Sequence, residues 1–292
     1  MNHGVLLSIL SLFAMSVAPI LNKFASTEIN FAWAAALSSA FCFFICVLAQ
    51  PKAARELARS GQIFSKTILW IALTNSIGLL CQYGAVVRLD PPTLSILGRM
   101  YVVFAVILAQ FHLKERMSRI ESITLLTVFV GALLFCWRAS FSMDVMGLGL
   151  CLAYSFFFAL THLQVKQASR DVSSNAILLA NNLVSTCVLI PVAACFFGGF
   201  KVGSAHSSLL IFGAAFFGQW LGLLLFYESL KRIPMVQANL IRTFSPIIGV
   251  LVAWPFFPVT FSNVQIGGAI LMVSAIILQS IVKARQATAA RL

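Results

Sequence analysis

Ten apolar stretches, each about 20 residues long, follow one another through this chain with short connections between them. They fall at about 4–25, 30–49, 67–87, 92–112, 120–137, 146–166, 174–198, 208–229, 235–255 and 264–282. Each is long enough to cross a hydrocarbon core of ~30 Å as a helix, and a strand of a membrane barrel would instead alternate over ~10 residues. Composition agrees: 60% of residues are hydrophobic and 10% charged, against roughly 25% charged in soluble domains. The expected fold class is an all-α polytopic membrane protein with ten transmembrane helices. No Lys or Arg precedes the first stretch and no cleavage site follows it, so it reads as a spanning helix and not as a signal peptide. The longest connection, roughly 50–66, is too short for a soluble module.

Basic residues orient the chain. With the N-terminus in the cytoplasm, the inner connections and tail hold fourteen of them: Lys52, Arg55, Arg59, Lys66, Lys114, Arg116, Arg119, Lys166, Arg170, Lys231, Arg232, Lys283, Arg285 and Arg291. The outer connections hold four, Lys23, Arg88, Arg138 and Lys201. This bias puts both termini inside an inner (cell) membrane. The net charge of +12 is therefore a topology signal, and nucleic acid is not an expected partner. The seven cysteines all lie in apolar stretches and form no CxxC, which suits buried thiols and supports neither a disulfide framework nor a metal site.

Two basic residues remain, Arg99 and Arg242, and both fall inside apolar stretches. They are 143 residues apart. The same shift places Lys23 on Lys166, Ala25 on Ala168, Ser26 on Ser169 and Pro91 on Pro234. The chain is thus expected to be two five-helix repeats, 1–142 and 143–292. Five is an odd number of crossings, so the second repeat is inverted relative to the first. Inverted repeats are a mark of secondary transporters, whose site lies near the midplane where the repeats meet.

The fourth stretch of each half also carries a family resemblance. PPTLSILGRMYVVFAVILAQFHLKERMS in the first half, with Leu113, Glu115 and Arg116 closing it, resembles the EamA-type ten-helix members of the drug/metabolite transporter superfamily. So do PMVQANLIRTFSPIIGVLVAWPFFPVTFS, with Ser245-Pro246, and IGGAILMVSAIIL in the second half, and PILNKFA at the end of the first stretch. The resemblance covers nearly the whole chain and implies a transporter fold without implying a substrate. Pro258 stands where the family pattern has a second glutamate, and the paired arginines are not a general family feature.

An arginine at the centre of a lipid-facing helix costs at least ~2.5–3.5 kcal/mol. Arg99 follows Pro91 by eight residues and Arg242 follows Pro234 by eight, on helices running in opposite directions. Each is then ~12 Å from its own end of the membrane, and the two guanidinium groups reach similar depths. Asn239, Ser245, Pro246 and Gly249 share the Arg242 face, and Ser95 shares the Arg99 face. No acidic residue lies mid-span, and Glu228 has Arg232 as a local partner at i+4. Two cations on one cavity favour a carboxylate or phosphate. Three roles stay open for them: anion binding, bonding to helix carbonyls, and gating.

Further candidates for the cavity are Asn75, Gln82 and Tyr83 on the third stretch, Gln219 and Tyr227 on the eighth, His162 on the sixth and Asn182 on the seventh. Helix–helix hydrogen bonding is the alternative for the amides. Packing is the alternative for His162, and snorkelling for Lys23 and Lys166, which otherwise line or gate the cavity. No HExxH, GxSxG or P-loop occurs, so the sequence calls for no catalytic centre, cofactor or metal, and no ATPase subunit is evident. The expected function is secondary, alternating-access transport of a small polar or amphipathic organic metabolite with an anionic group; membrane lipid is its other partner. A general drug or amino-acid exporter with structural arginines and a lipid-phosphate flippase are the alternatives.

Overall fold

The computed structural model describes residues 3–278 apart from 26–27, 52–54, 56–64, 90–93, 95–97, 99, 114–118, 136–143, 200–203, 243, 246–247, 250, 252–261, 265, 272–273 and 276–277. Six described helices are long and apolar enough to cross a membrane. They are α1 (His3–Ala25), α2 (Phe31–Ala49), α3 (Lys66–Arg88), α6 (Val145–Ala168), α7 (Ser174–Phe196) and α8 (Ala205–Arg232). Shorter helices are α4 (Met100–His112), α5 (Arg119–Phe135) and α9 (Met235–Arg242). Helical residues recur at 266–271, inside the last apolar stretch. Helices are the answer to a solvent that cannot hydrogen-bond: each peptide group must find its partner within its own segment.

Polar residues mark where several helices begin. Asn30 accepts from the Ala32 N–H, Ser65 from Ile68, Asp144 from Met146 and Gly147, Ser173 from Ala176, and Ser204 from Ser207. Each satisfies an N–H that the first helical turn leaves over. The caps Asn30 and Ser173 are 143 residues apart, as are the helix ends Ala25 and Ala168. Between them the chain turns the same way twice. Glu28 and Ile29 donate backbone N–H groups to the Ala25 carbonyl, and Asp171 and Val172 donate to that of Ala168.

Packing carries the same relation between the halves. α1 lies against α8 and α9 of the second half, and α6 lies against α3 and α4 of the first. α3 packs on α7 and α2 on α8, while α2 meets α7 and α4 meets α9. Adding 143 and exchanging the halves turns each of these pairings into another or into itself. The first helix of each half is therefore embedded in the other half.

Small residues make the contacts possible. A Cβ on Gly222 of α8 would lie 2.3 Å from Cγ of Met15 on α1. One on Gly78 of α3 would lie 2.6 Å from the Phe158 ring on α6. Ser11 Oγ donates to the Gly222 carbonyl at 2.7 Å, and Ser8 Oγ to the Ala238 carbonyl at 3.3 Å. Alanine and serine fill the buried face of α2, whereas Leu48, Phe111 and Phe196 point outward. Between lipid and protein the hydrophobic effect gives no preference, so close backbone approach decides which face turns inward.

Polar connections join the halves at one end. Glu28 accepts from the Ser204 N–H at 3.0 Å and the Ser207 hydroxyl at 2.6 Å. Trp33 Nε1 donates to the Gly198 carbonyl at 3.0 Å, and Arg88 pairs with Asp144 at 3.0 Å. The Ser207 hydroxyl, then Ser204, hold the Glu28 carboxyl down at about 2. The Gly147 N–H, then Arg88, lower that of Asp144.

Two outcomes follow from this packing. Gly222→Val forces Met15 aside and is expected to cost ~1–3 kcal/mol, read as a lower melting temperature in detergent. Gly149→Ala, where nothing lies within 4 Å, serves as the neutral comparison. A carboxyl lowered on folding stabilises above its unfolded value and loses that contribution as pH falls through its folded one. The melting difference between the native chain and Glu28→Gln is therefore expected to stay level from pH 8 to about 5 and to shrink only below about 4. A difference already collapsing between pH 7 and 6 contradicts it.

Candidate substrate-binding site

Arg242 ends the helical run of α9 where α1, α4 and α8 converge. Its guanidinium carbon stands 4.3 Å from the Phe226 ring centroid on α8 and 5.2 Å from that of Tyr101 on α4. Nη1 donates to the Tyr101 hydroxyl at 3.4 Å, and Nη2 reaches Met15 Sδ on α1 at 3.2 Å. These three side chains are neutral, so they position the cation without cancelling its charge. Desolvated stacking of this kind is worth about 2 kcal/mol and offsets part of the burial cost.

Behind Tyr101 stands His162 of α6. The Tyr101 hydroxyl is 2.7 Å from His162 Nδ1, and both residues are buried. The imidazole is enclosed edge-on by Tyr101, by Phe226 at 5.0 Å and by Tyr227 at 6.1 Å between ring centroids. The Tyr227 hydroxyl is buried and has no hydrogen-bond partner among the described residues. Arg242, Tyr101 and His162 thus form one chain of contacts through α9, α4 and α6, joining the two halves at the level of the arginine.

The other sequence candidates are distributed around this centre. Arg99 and Ser95 lie outside the described residues. Ser245 is half-buried, and Asn239 is buried with its Nδ2 donating to the Met235 carbonyl of its own helix. Asn75 Nδ2 donates to Ser185 Oγ on α7 at 3.3 Å. The Tyr83 hydroxyl donates to Asn22 Oδ1 at 3.2 Å. Gln219 reaches the Ser38 hydroxyl from Ala215–Gly222, a π-helical turn within α8. Gln82 is half-buried. Asn182 Nδ2 donates to its own Leu178 carbonyl, while its Oδ1 and both polar atoms of the Asn181 side chain have no described partner.

The matched lysines sit at matched helix ends. Lys23 Nζ donates to the Val86 carbonyl at 3.2 Å. Lys166 Nζ donates to Leu230 and Ile233 carbonyls at 3.0 and 2.8 Å. Each first helix supplies a cation to the carbonyl end of its own half's third helix, where the helix dipole is negative. At the same end of α8, Glu228 pairs with Lys231 and Arg232 at 3.0 Å each.

Comparison with known proteins identifies the assembly. The sequence model of the EamA-like transporter family matches this chain twice, over residues 2–137 and 145–281. The chain belongs to the EamA-like transporter family. The two matches meet near the expected junction of the repeats. An uncharacterized transporter of Synechocystis sp. is 24% identical over 210 residues, covering 67% of this EamA-like chain and 60% of the relative. The match thus spans less than two thirds of that relative's length. One protein of known crystal structure superposes with a TM-score of 0.78 at 13% identity, covering 97% of this chain and 98% of that one. At that identity the likeness is one of fold.

Three residues that hold Arg242, namely Tyr101, Phe226 and Met15, were not singled out in the sequence. Tyr101 carried a usable signal: a hydroxyl inside an apolar span must find a partner, and it lies two residues after Arg99. Phe226 and Met15 carried none. Tyr101→Phe removes the contact to His162 Nδ1 and is expected to destabilise the protein by about 1–3 kcal/mol. A double-mutant cycle with His162→Asn measured by unfolding should be clearly non-additive; additivity would mean that the two do not interact.

Proposed function

We propose that this EamA-like protein is a secondary transporter, which moves a small organic metabolite with an anionic group across the inner membrane by alternating access. Its energy comes from a gradient or an exchange. The two family matches, with the reciprocal packing of the halves, support inverted five-helix repeats, and the bias of basic residues supports cytoplasmic termini. The observation that carries the anionic part is Arg242: a cation at the junction of the halves, laid on Phe226 and Tyr101 and directed by Tyr101 and Met15. A guanidinium held in a plane presents paired donors to a carboxylate or phosphate. Arg99, at the matched position of the first half, is the proposed second cation. Tyr101, His162 and Tyr227 supply the polar wall beside Arg242, and Phe226 and Met15 the apolar one, so an anionic head on a compact organic body fits the chemistry.

The test is a thermal-shift series on the purified protein. The probes are acetate, succinate, citrate, inorganic phosphate and glycerol 3-phosphate, set against neutral amino acids and organic cations. Ligand at about 100 times its dissociation constant stabilises by about 2.7 kcal/mol. Stabilisation is expected from the anions and is expected to vanish in Arg242→Gln and Arg99→Gln. Stabilisation by cations or amino acids alone, kept in both variants, would replace this reading with that of a general exporter whose arginines are structural.

A further inference from the structure

One hydroxyl joins two basic side chains. The Tyr101 oxygen accepts from Arg242 Nη1 at 3.4 Å and stands 2.7 Å from His162 Nδ1. Arginine can only donate, so Arg242 takes a lone pair of that oxygen and leaves the hydroxyl proton to be given to Nδ1. In this arrangement the imidazole is neutral and carries its own proton on Nε2. A proton added at Nδ1 reverses the bond: the imidazolium donates, and the Tyr101 oxygen accepts from both residues. Two positive groups then share one neutral acceptor, in an interior whose low dielectric strengthens their repulsion.

The groups around the imidazole come from several helices. α4 presents Tyr101, α8 presents Phe226 and Tyr227, and Arg242 of α9 acts on the ring electrostatically. α3 brings Thr74 to Thr161 and Gly78 to Phe158, and neither of these titrates; its Cys81 lies about two turns away, beside Tyr154. Tyr227 is in turn within electrostatic reach of the buried thiols Cys42 and Cys46 on α2. On α6 itself Lys166 follows one turn later and is taken up by the Leu230 and Ile233 carbonyls. Glu28, Asp144 and Glu228 are engaged near helix ends, with Ser204 and Ser207, with Arg88, and with Lys231 and Arg232. His162 is therefore the described group beside Arg242 whose charge can change near neutral pH.

An anion changes this balance. A carboxylate or phosphate on Arg242 answers the charge that opposes an imidazolium, so anion and proton each favour the binding of the other. We infer that His162 is the coupling site for protons: each anion held by Arg242 is accompanied by one proton on His162, and the two cross the membrane together. This rests on the anionic reading above and adds its source of energy, a proton gradient used by symport. A proton carried in exchange for the substrate would have to compete with it, whereas here the two bear opposite charges and are linked through one hydroxyl. Tyr101 belongs to the first half and His162 and Arg242 to the second, so that link exists only where the halves meet.

Calorimetry of succinate binding to the full chain in lipid nanodiscs tests this. Titrations in buffers of different ionisation enthalpy, at pH values where succinate is already doubly ionised, count the protons taken up. Uptake approaching about one proton per succinate is expected, with a dissociation constant that rises at least about tenfold from pH 6.5 to 8.5. In His162→Asn the uptake and the pH dependence should both disappear from whatever binding remains. If that variant does not fold, nitrogen-15 spectra of the histidine-labelled native protein decide: one of its four imidazoles should become doubly protonated when succinate is added. Succinate binding without proton uptake, or without a change in any imidazole, overturns the coupling and leaves the anionic reading in place. Uptake that persists in His162→Asn overturns the assignment to His162. Failure of succinate, citrate and inorganic phosphate to bind at all removes the anionic reading, and the coupling with it.

Discussion

A lipid interior offers no hydrogen bonds, and the rest of this molecule follows from that constraint. Every backbone group has to be satisfied within its own segment, so the described crossings are helical. Every polar side chain in those segments must likewise find protein. Ser8 and Ser11 of α1 bond carbonyls of the second half, Asn75 bonds Ser185, and Arg242 is laid on aromatic rings. What a soluble protein achieves by expelling water, this chain achieves by close approach and polar contacts.

Interlocking of the halves is the architectural result. Met15 occupies the space over Gly222 and Phe158 that over Gly78, so the first helix of one half is seated in the third helix of the other. Neither half can bury its own first helix without its partner. The place where these exchanged helices cross is also where Arg242, Tyr101 and His162 meet, which makes the candidate site a property of the pair and of neither half alone.

Much of this was legible in the residues. The six long described helices fall within a few residues of the expected edges, because an apolar run of membrane length has one stable conformation. The shift of 143, first visible in two arginines, recurs in capping residues, in the turns after Ala25 and Ala168, and in the lysines that bond helix ends. A helix surrounded by neighbours divides one face between them: Asn75 turns to α7 and Gly78 to α6.

The sequence by itself determined the class of the fold, the crossings and the equivalence of the halves, since hydropathy and spacing are local and repeat with the chain. Only the tertiary structure decided what surrounds Arg242. Met15, Tyr101, His162 and Phe226 come from four helices, and no period relates 15, 101, 162 and 226 to one another. Their meeting depends on helices crossing from one half into the other, which is set by shape and close contact, and the linear order of residues does not record it.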